Sequence, residues 1–68
     1  MNELLTDREK DLIILVASGK TNYEIAENLN ISYGTVKKLL RKLFKIFNVQ
    51  NRTQLVFATL KLLSIEYK

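Results

Sequence analysis

Four times in 68 residues the chain repeats the signature of a helix start. Thr6-Asp7-Arg8-Glu9 is a capping box: the Thr6 hydroxyl is placed to accept from the Glu9 amide while the Glu9 carboxylate reaches back to the Thr6 amide. Thr21-Asn22-Tyr23-Glu24 repeats it, and Asn51-Arg52-Thr53-Gln54 has the same form built from Asn and Gln. Ser32 caps Tyr33-Gly34-Thr35 without the reciprocal acid. No segment alternates with period two for long enough to make a strand, and proline is absent. The expected fold is therefore all-α, a single four-helix domain over residues 1–68, with helices at about 7–18, 22–28, 32–47 and 52–63. Gly19, Asn30 and Asn48 stand where a left-handed residue would end the first three.

The third segment, SYGTVKKLLRKLFKIF, is strongly two-faced. On a helical wheel with Lys37 at zero, Lys37, Arg41, Lys45, Lys38 and Lys42 fall between about 0° and 140°, whereas Ile46, Leu39, Leu43, Val36, Phe47, Leu40 and Phe44 fall between about 180° and 340°. The two arcs do not overlap. No Asp or Glu stands between residues 28 and 65 to dilute the basic face. Three readings fit such a helix: a core helix with a soluble outer face, a membrane-surface or partner-target helix, and a helix laid against nucleic acid.

Charge and composition narrow the choice. Residues 1–31 hold three basic and six acidic residues, a net −3, while residues 32–68 hold eight basic and one acidic, a net +7. So polarised a chain implies a polyanion met by one side of the molecule. Cysteine and histidine are absent, which removes disulfides, thiolate or imidazole metal sites, and the common nucleophile–histidine catalysts. The seven carboxylates are scattered and mostly at helix starts, so neither a catalytic pair, a metal site nor a cofactor is expected. The start, MNELLTDRE, lacks the basic and apolar regions of a signal peptide, and no apolar run approaches the roughly 20 residues of a membrane span. A cytoplasmic protein with no membrane partner is the simplest expectation.

A short capped helix, a tight turn at Leu29-Asn30-Ile31 and a longer basic helix form the arrangement that sets a second helix into the DNA major groove. Ala26 is small where the helices must cross, and Ile25, Leu29, Ile31, Val36 and Leu39 recur at locking positions. Together LTDRE, GKTNYEIA, ISYGTVK and VQNRTQ resemble the LuxR/GerE-type helix-turn-helix domain of bacterial transcription regulators, including the NarL/FixJ class of response regulators. The resemblance runs from Leu5 to Ile65. It implies a transcription regulator that binds specific double-stranded DNA through its third helix, located at the nucleoid when bound.

Carried over by position, the resemblance puts base contacts at Lys37, Lys38 and Arg41, where Arg41 can address guanine O6 and N7 bidentately. Phosphate contacts fall to Thr21, Asn22, Ser32 and Thr35 at helix starts, with Lys20, Tyr33, Lys42 and Lys45 beside them. Four positions depart from the family pattern. Leu39 replaces a common histidine or aromatic residue, Ile46 a usual lysine, and Asn48 a common glycine, while Gly34 replaces a side chain that often faces DNA.

In the fourth helix, Leu55, Val56, Phe57, Ala58, Leu60, Leu62 and Leu63 cover more of the circumference than one core needs. The resemblance implies a homodimer through this helix, with Val56, Leu60 and Leu63 as the expected contacts. Further implied partners are RNA polymerase or a regulatory domain outside this chain, whose start at Met1 suits either a stand-alone regulator or an excised effector domain. Two alternatives stay open, a sigma-factor-like region and a helix-turn-helix protein-interaction module that binds a partner through the apolar fourth helix.

Overall fold

The computed structural model describes residues 5–66, with side chains through Leu60. Four helices make up the all-α fold of these residues: α1 (Asp7–Ala17), α2 (Asn22–Leu29), α3 (Tyr33–Phe47) and α4 (Arg52–Glu66). Relative to the sequence expectation, Ser18 and Ser32 serve as caps outside their helices, α2 gains Leu29, and α4 continues three residues past Leu63.

The helix starts are closed by the side chains that the signatures name. Thr6 accepts from the Glu9 amide at 3.1 Å and its own amide donates to the Glu9 carboxylate at 2.9 Å. Thr21 and Glu24 repeat the exchange at 3.1 and 2.8 Å. Ser32 accepts from the Thr35 amide at 3.0 Å. At α4 the box is altered: Asn51 accepts from the Gln54 amide at 2.9 Å, but the Gln54 side chain accepts from the amide of Gln50, one residue earlier than expected, at 2.8 Å.

Three corners close alike. After α1, the amides of Gly19 and Lys20 donate to the carbonyls of Val16 and Leu15, with Gly19 at φ 86°. After α2, Asn30 and Ile31 donate to Glu27 and Ala26, with Asn30 at φ 57°. After α3, Asn48 and Val49 donate to Lys45 and Phe44, with Asn48 at φ 55°. Each pairs a left-handed residue with the doubled backbone bonds of a Schellman closure. Asparagine adopts that conformation more readily than other residues with a side chain.

Leu12, Ile13 and Val16 of α1, Ile25 of α2, Val36, Leu40 and Leu43 of α3 and Leu55 of α4 form the buried core. Along α3 the burial follows the wheel. Leu43, Val36 and Leu40, at the middle of the apolar arc, are buried, Leu39 and Phe44 toward its sides are half-buried, and Ile46 at its edge is 37% exposed; Phe47 also lies mid-arc but is half-buried as the last residue of the helix. Ala17, the last residue of α1, faces solvent beside the buried Val16. Thr59 is fully buried, and its hydroxyl is satisfied by donating to the carbonyls of Leu55 and Val56 at 2.9 and 3.1 Å.

Candidate nucleic-acid interface

With Val36, Leu40 and Leu43 turned into the core, α3 must present its opposite side, and Lys37, Lys38, Arg41 and Lys45 all stand exposed there. Lys38, Arg41, Lys42 and Lys45 line one shallow cleft of about 230 Å³ along this face. On the other flank, Asn22, Lys37, Arg41 and Arg52 surround a floor made by Leu40 and Phe44. The expected base-contact residues thus lie on the ridge between two basic channels.

Lys42 occupies the far edge of the basic arc and turns back. Its ammonium lies 2.9 Å from the Glu9 carboxylate, which is only 2% exposed. The pair ties α1 to α3 and engages the Lys42 ammonium at the edge of the cleft that it lines with Lys38, Arg41 and Lys45. The amide of Thr6 holds the Glu9 pKa below the ordinary glutamate value, with the Lys42 ammonium adding to the effect against the opposing cost of burial. Glu24 is lowered likewise, chiefly by the Thr21 amide.

Because the folded Glu9 pKa is depressed, its contribution to stability is present above the unfolded value of 4.5 and is lost as pH falls through the folded pKa. Glu9→Gln keeps an acceptor for the Thr6 amide but removes the charge paired with Lys42; it should therefore cost up to about 1 kcal/mol at neutral pH and flatten this acid-side loss. Urea melts from pH 7 down to pH 3 check it. An unchanged pH profile would remove Glu9 from the account.

The phosphate-contact candidates gather on the same side, and several are already engaged. The Thr21 and Ser32 hydroxyls act as cap acceptors, and the Thr35 hydroxyl shares a 2.9 Å hydrogen bond with Ser32. Asn22 accepts from the Arg52 guanidinium at 2.6 Å, and the same guanidinium donates to the Lys20 carbonyl. Lys20 and Lys45 keep exposed side chains. Tyr33 stacks on Tyr23 with ring centroids 4.3 Å apart, and the Lys37 ammonium stands 5.7 Å from the Tyr33 ring centre.

Arg52 and Tyr23 were not singled out from sequence. Arg52 lies within the quoted VQNRTQ run, but its partners are 30 and 32 residues away and no local pattern connects them. Gly34 has ordinary backbone, and a Cβ placed on it would meet only the Ser32 hydroxyl at 3.9 Å. The fold itself does not require glycine there.

On α4, Val56 is half-buried against the domain's own core, while Phe57 is 68% and Leu60 45% exposed. The Leu63 side chain lies outside the described residues. Among the described residues of α4, the exposed large apolar side chains are thus Leu60 and Phe57, the latter counted as apolar in the sequence reading but not assigned to a contact. Among the described residues no helix is long and apolar enough to cross a membrane.

The profile described as "Bacterial regulatory proteins, luxR family" matches residues 3–59. The CsgBAC operon transcriptional regulatory protein of Escherichia coli (strain K12) is 51% identical over 53 residues, covering 78% of this chain and 24% of that protein. The transcriptional regulatory protein DesR of Bacillus subtilis (strain 168) is 42% identical over 52 residues, 76% of this chain and 26% of its own. The response regulator protein VraR of Staphylococcus aureus (strain NCTC 8325 / PS 47) is 41% identical over 54 residues, 79% of this chain and 26% of its own. The chain spans about a quarter of the length of these curated relatives.

Proposed function

Because this chain belongs to the luxR family of bacterial regulatory proteins, we propose that it binds specific double-stranded DNA sequences as the DNA-reading part of transcription regulation, with α3 in the major groove. The observation that carries this is the exposed row of Lys37, Lys38, Arg41 and Lys45 on the side of α3 opposite the buried Val36, Leu40 and Leu43. In this reading Lys37, Lys38 and Arg41 address base edges. Lys20, Lys45, Tyr33, Thr35 and the amides around Thr21, Asn22 and Ser32 meet phosphates. Lys42 joins them only by dividing its ammonium between Glu9 and the DNA backbone. The cytoplasm, where the DNA is, is the corresponding location.

Two copies meeting through α4 would read a two-fold site with half-sites about 10 base pairs apart. In this reading Val56, Leu60 and Leu63 make the contact, and the exposure of Leu60 and of neighbouring Phe57 supports it.

Anisotropy titration of DNA selected by the chain from a random duplex library tests both parts. Binding should weaken by about tenfold or more between 50 and 200 mM salt, because neutralised phosphates release counterions. Saturation at two chains per selected site supports the α4 pair. Saturation at one chain removes the pair and leaves the DNA reading in place. If no duplex is enriched even at low salt, the interaction-module reading through α4 replaces DNA binding.

A further inference from the structure

The stacked tyrosines at the corner of α2 and α3 have no part in the core. Tyr23, near the start of α2, is 70% exposed and Tyr33, at the start of α3, is 37% exposed. Their rings nevertheless lie nearly parallel, 19° apart, with centroids separated by 4.3 Å. Lys37 follows Tyr33 by one helical turn, and its ammonium stands over the Tyr33 ring at 5.7 Å from the centre. The ring spacing leaves no room for an ammonium between the tyrosines, so Lys37 covers the face of Tyr33 that Tyr23 leaves open.

We propose that Tyr33, braced by Tyr23, is a positioning residue that aims Lys37 at its base and thereby sets sequence preference at that step. This rests on the reading of α3 as the base-reading helix. The physical reason lies in the lysine side chain. Lysine carries a compact charge on a flexible stem, and a free one spreads over many rotamers before it finds a base. An aromatic face within about 6 Å attracts the cation. It engages one side of the ammonium and leaves the other N–H groups for paired acceptors such as guanine N7 and O6. Tyr23 restrains the Tyr33 ring from its other side, since offset-parallel rings attract. The role belongs to the ring, and is separate from any hydrogen bond that the Tyr33 hydroxyl makes to a phosphate.

The test uses the whole chain and duplexes selected by it, comparing the preferred site with single-base variants. Lys37→Ala first identifies the base pair whose preference depends on Lys37. At that base pair Tyr33→Leu should reduce discrimination about two- to fivefold, the range of an exposed cation–π contact, with the salt slope unchanged. Tyr33→Phe should keep the discrimination while weakening all sequences alike, because it retains the ring and loses only the hydroxyl. Tyr23→Leu should give a smaller loss at the same base pair.

An equal loss of discrimination in Tyr33→Phe and Tyr33→Leu, or a Tyr33→Leu loss that is uniform across sequences with discrimination at that base pair unchanged, would overturn the proposal while leaving the DNA reading intact. If Lys37→Ala alters no base preference, both the proposal and the placement of Lys37 in the groove fail. Both tyrosines are exposed, so the variants should fold, and thermal melts by circular dichroism establish this.

Discussion

Leu43→Ala is expected to lower the melting temperature by more than about 10 °C and to cost about 2–5 kcal/mol. Leu43 is fully buried at the middle of the apolar arc of α3. Removing it takes away burial and leaves a cavity among the Leu12, Ile25, Val36 and Leu55 cluster. A domain of this length has only about 3–10 kcal/mol of total stability, so the variant should be substantially unfolded at 37 °C. DNA binding should fall with the folded fraction rather than through any lost contact. Circular dichroism melts with parallel anisotropy titrations separate the two. A variant that melts within a few degrees of the parent would show that α3 is not anchored at this residue.

Arg41→Ala should behave in the opposite way, leaving the melt nearly unchanged and costing about 1–3 kcal/mol of discrimination at the base pair that the proposed reading assigns to it. Arg41 is exposed on α3 and borders both basic clefts. It is therefore available to a ligand without rearrangement of the core. Arg41→Lys should recover only part of the preference, because an ammonium cannot reproduce the planar fork of a guanidinium. Lys45→Ala should instead weaken every duplex alike and reduce the salt slope by about one counterion. Binding-site selection followed by titration of matched and mismatched duplexes gives the comparison. Equal, sequence-independent losses in the two alanine variants would contradict the division between base and phosphate contacts.

The features legible in the sequence were those encoded within about six residues. Thr6, Thr21 and Ser32 name their own helix starts, Gly19, Asn30 and Asn48 name the ends, and the hydrophobic period of α3 fixes which side turns inward. The all-α fold and the family follow from those local signals in order. Contacts between distant segments were not legible. Glu9 reads as a simple cap residue until the fold brings Lys42 of α3 to within 2.9 Å of its carboxylate. Arg52 reads as an unremarked first-turn arginine until α4 returns beside Asn22 and the carbonyl of Lys20. The Tyr23–Tyr33 stack depends on the angle between two helices, which neither helix encodes alone. Similarly, the apolar composition of α4 signalled excess surface, but the exposure of Phe57 rather than Val56 depends on how the helix is rotated against the core.

The Schellman closures at Gly19, Asn30 and Asn48 also bear on how fast the chain assembles. Each corner is completed by backbone bonds that reach back no more than five residues, and the sequence has no proline whose isomerisation could delay it. Small helical domains dominated by such local connections fold in about microseconds to milliseconds. Where opening and reclosing are faster than peptide-bond cleavage, degradation follows the equilibrium fraction that is open rather than the rate of opening. Substitutions in the corners and core would then set how much of the chain a cell keeps, while those on the Lys37–Lys45 face would change only the DNA binding proposed for the surviving copies.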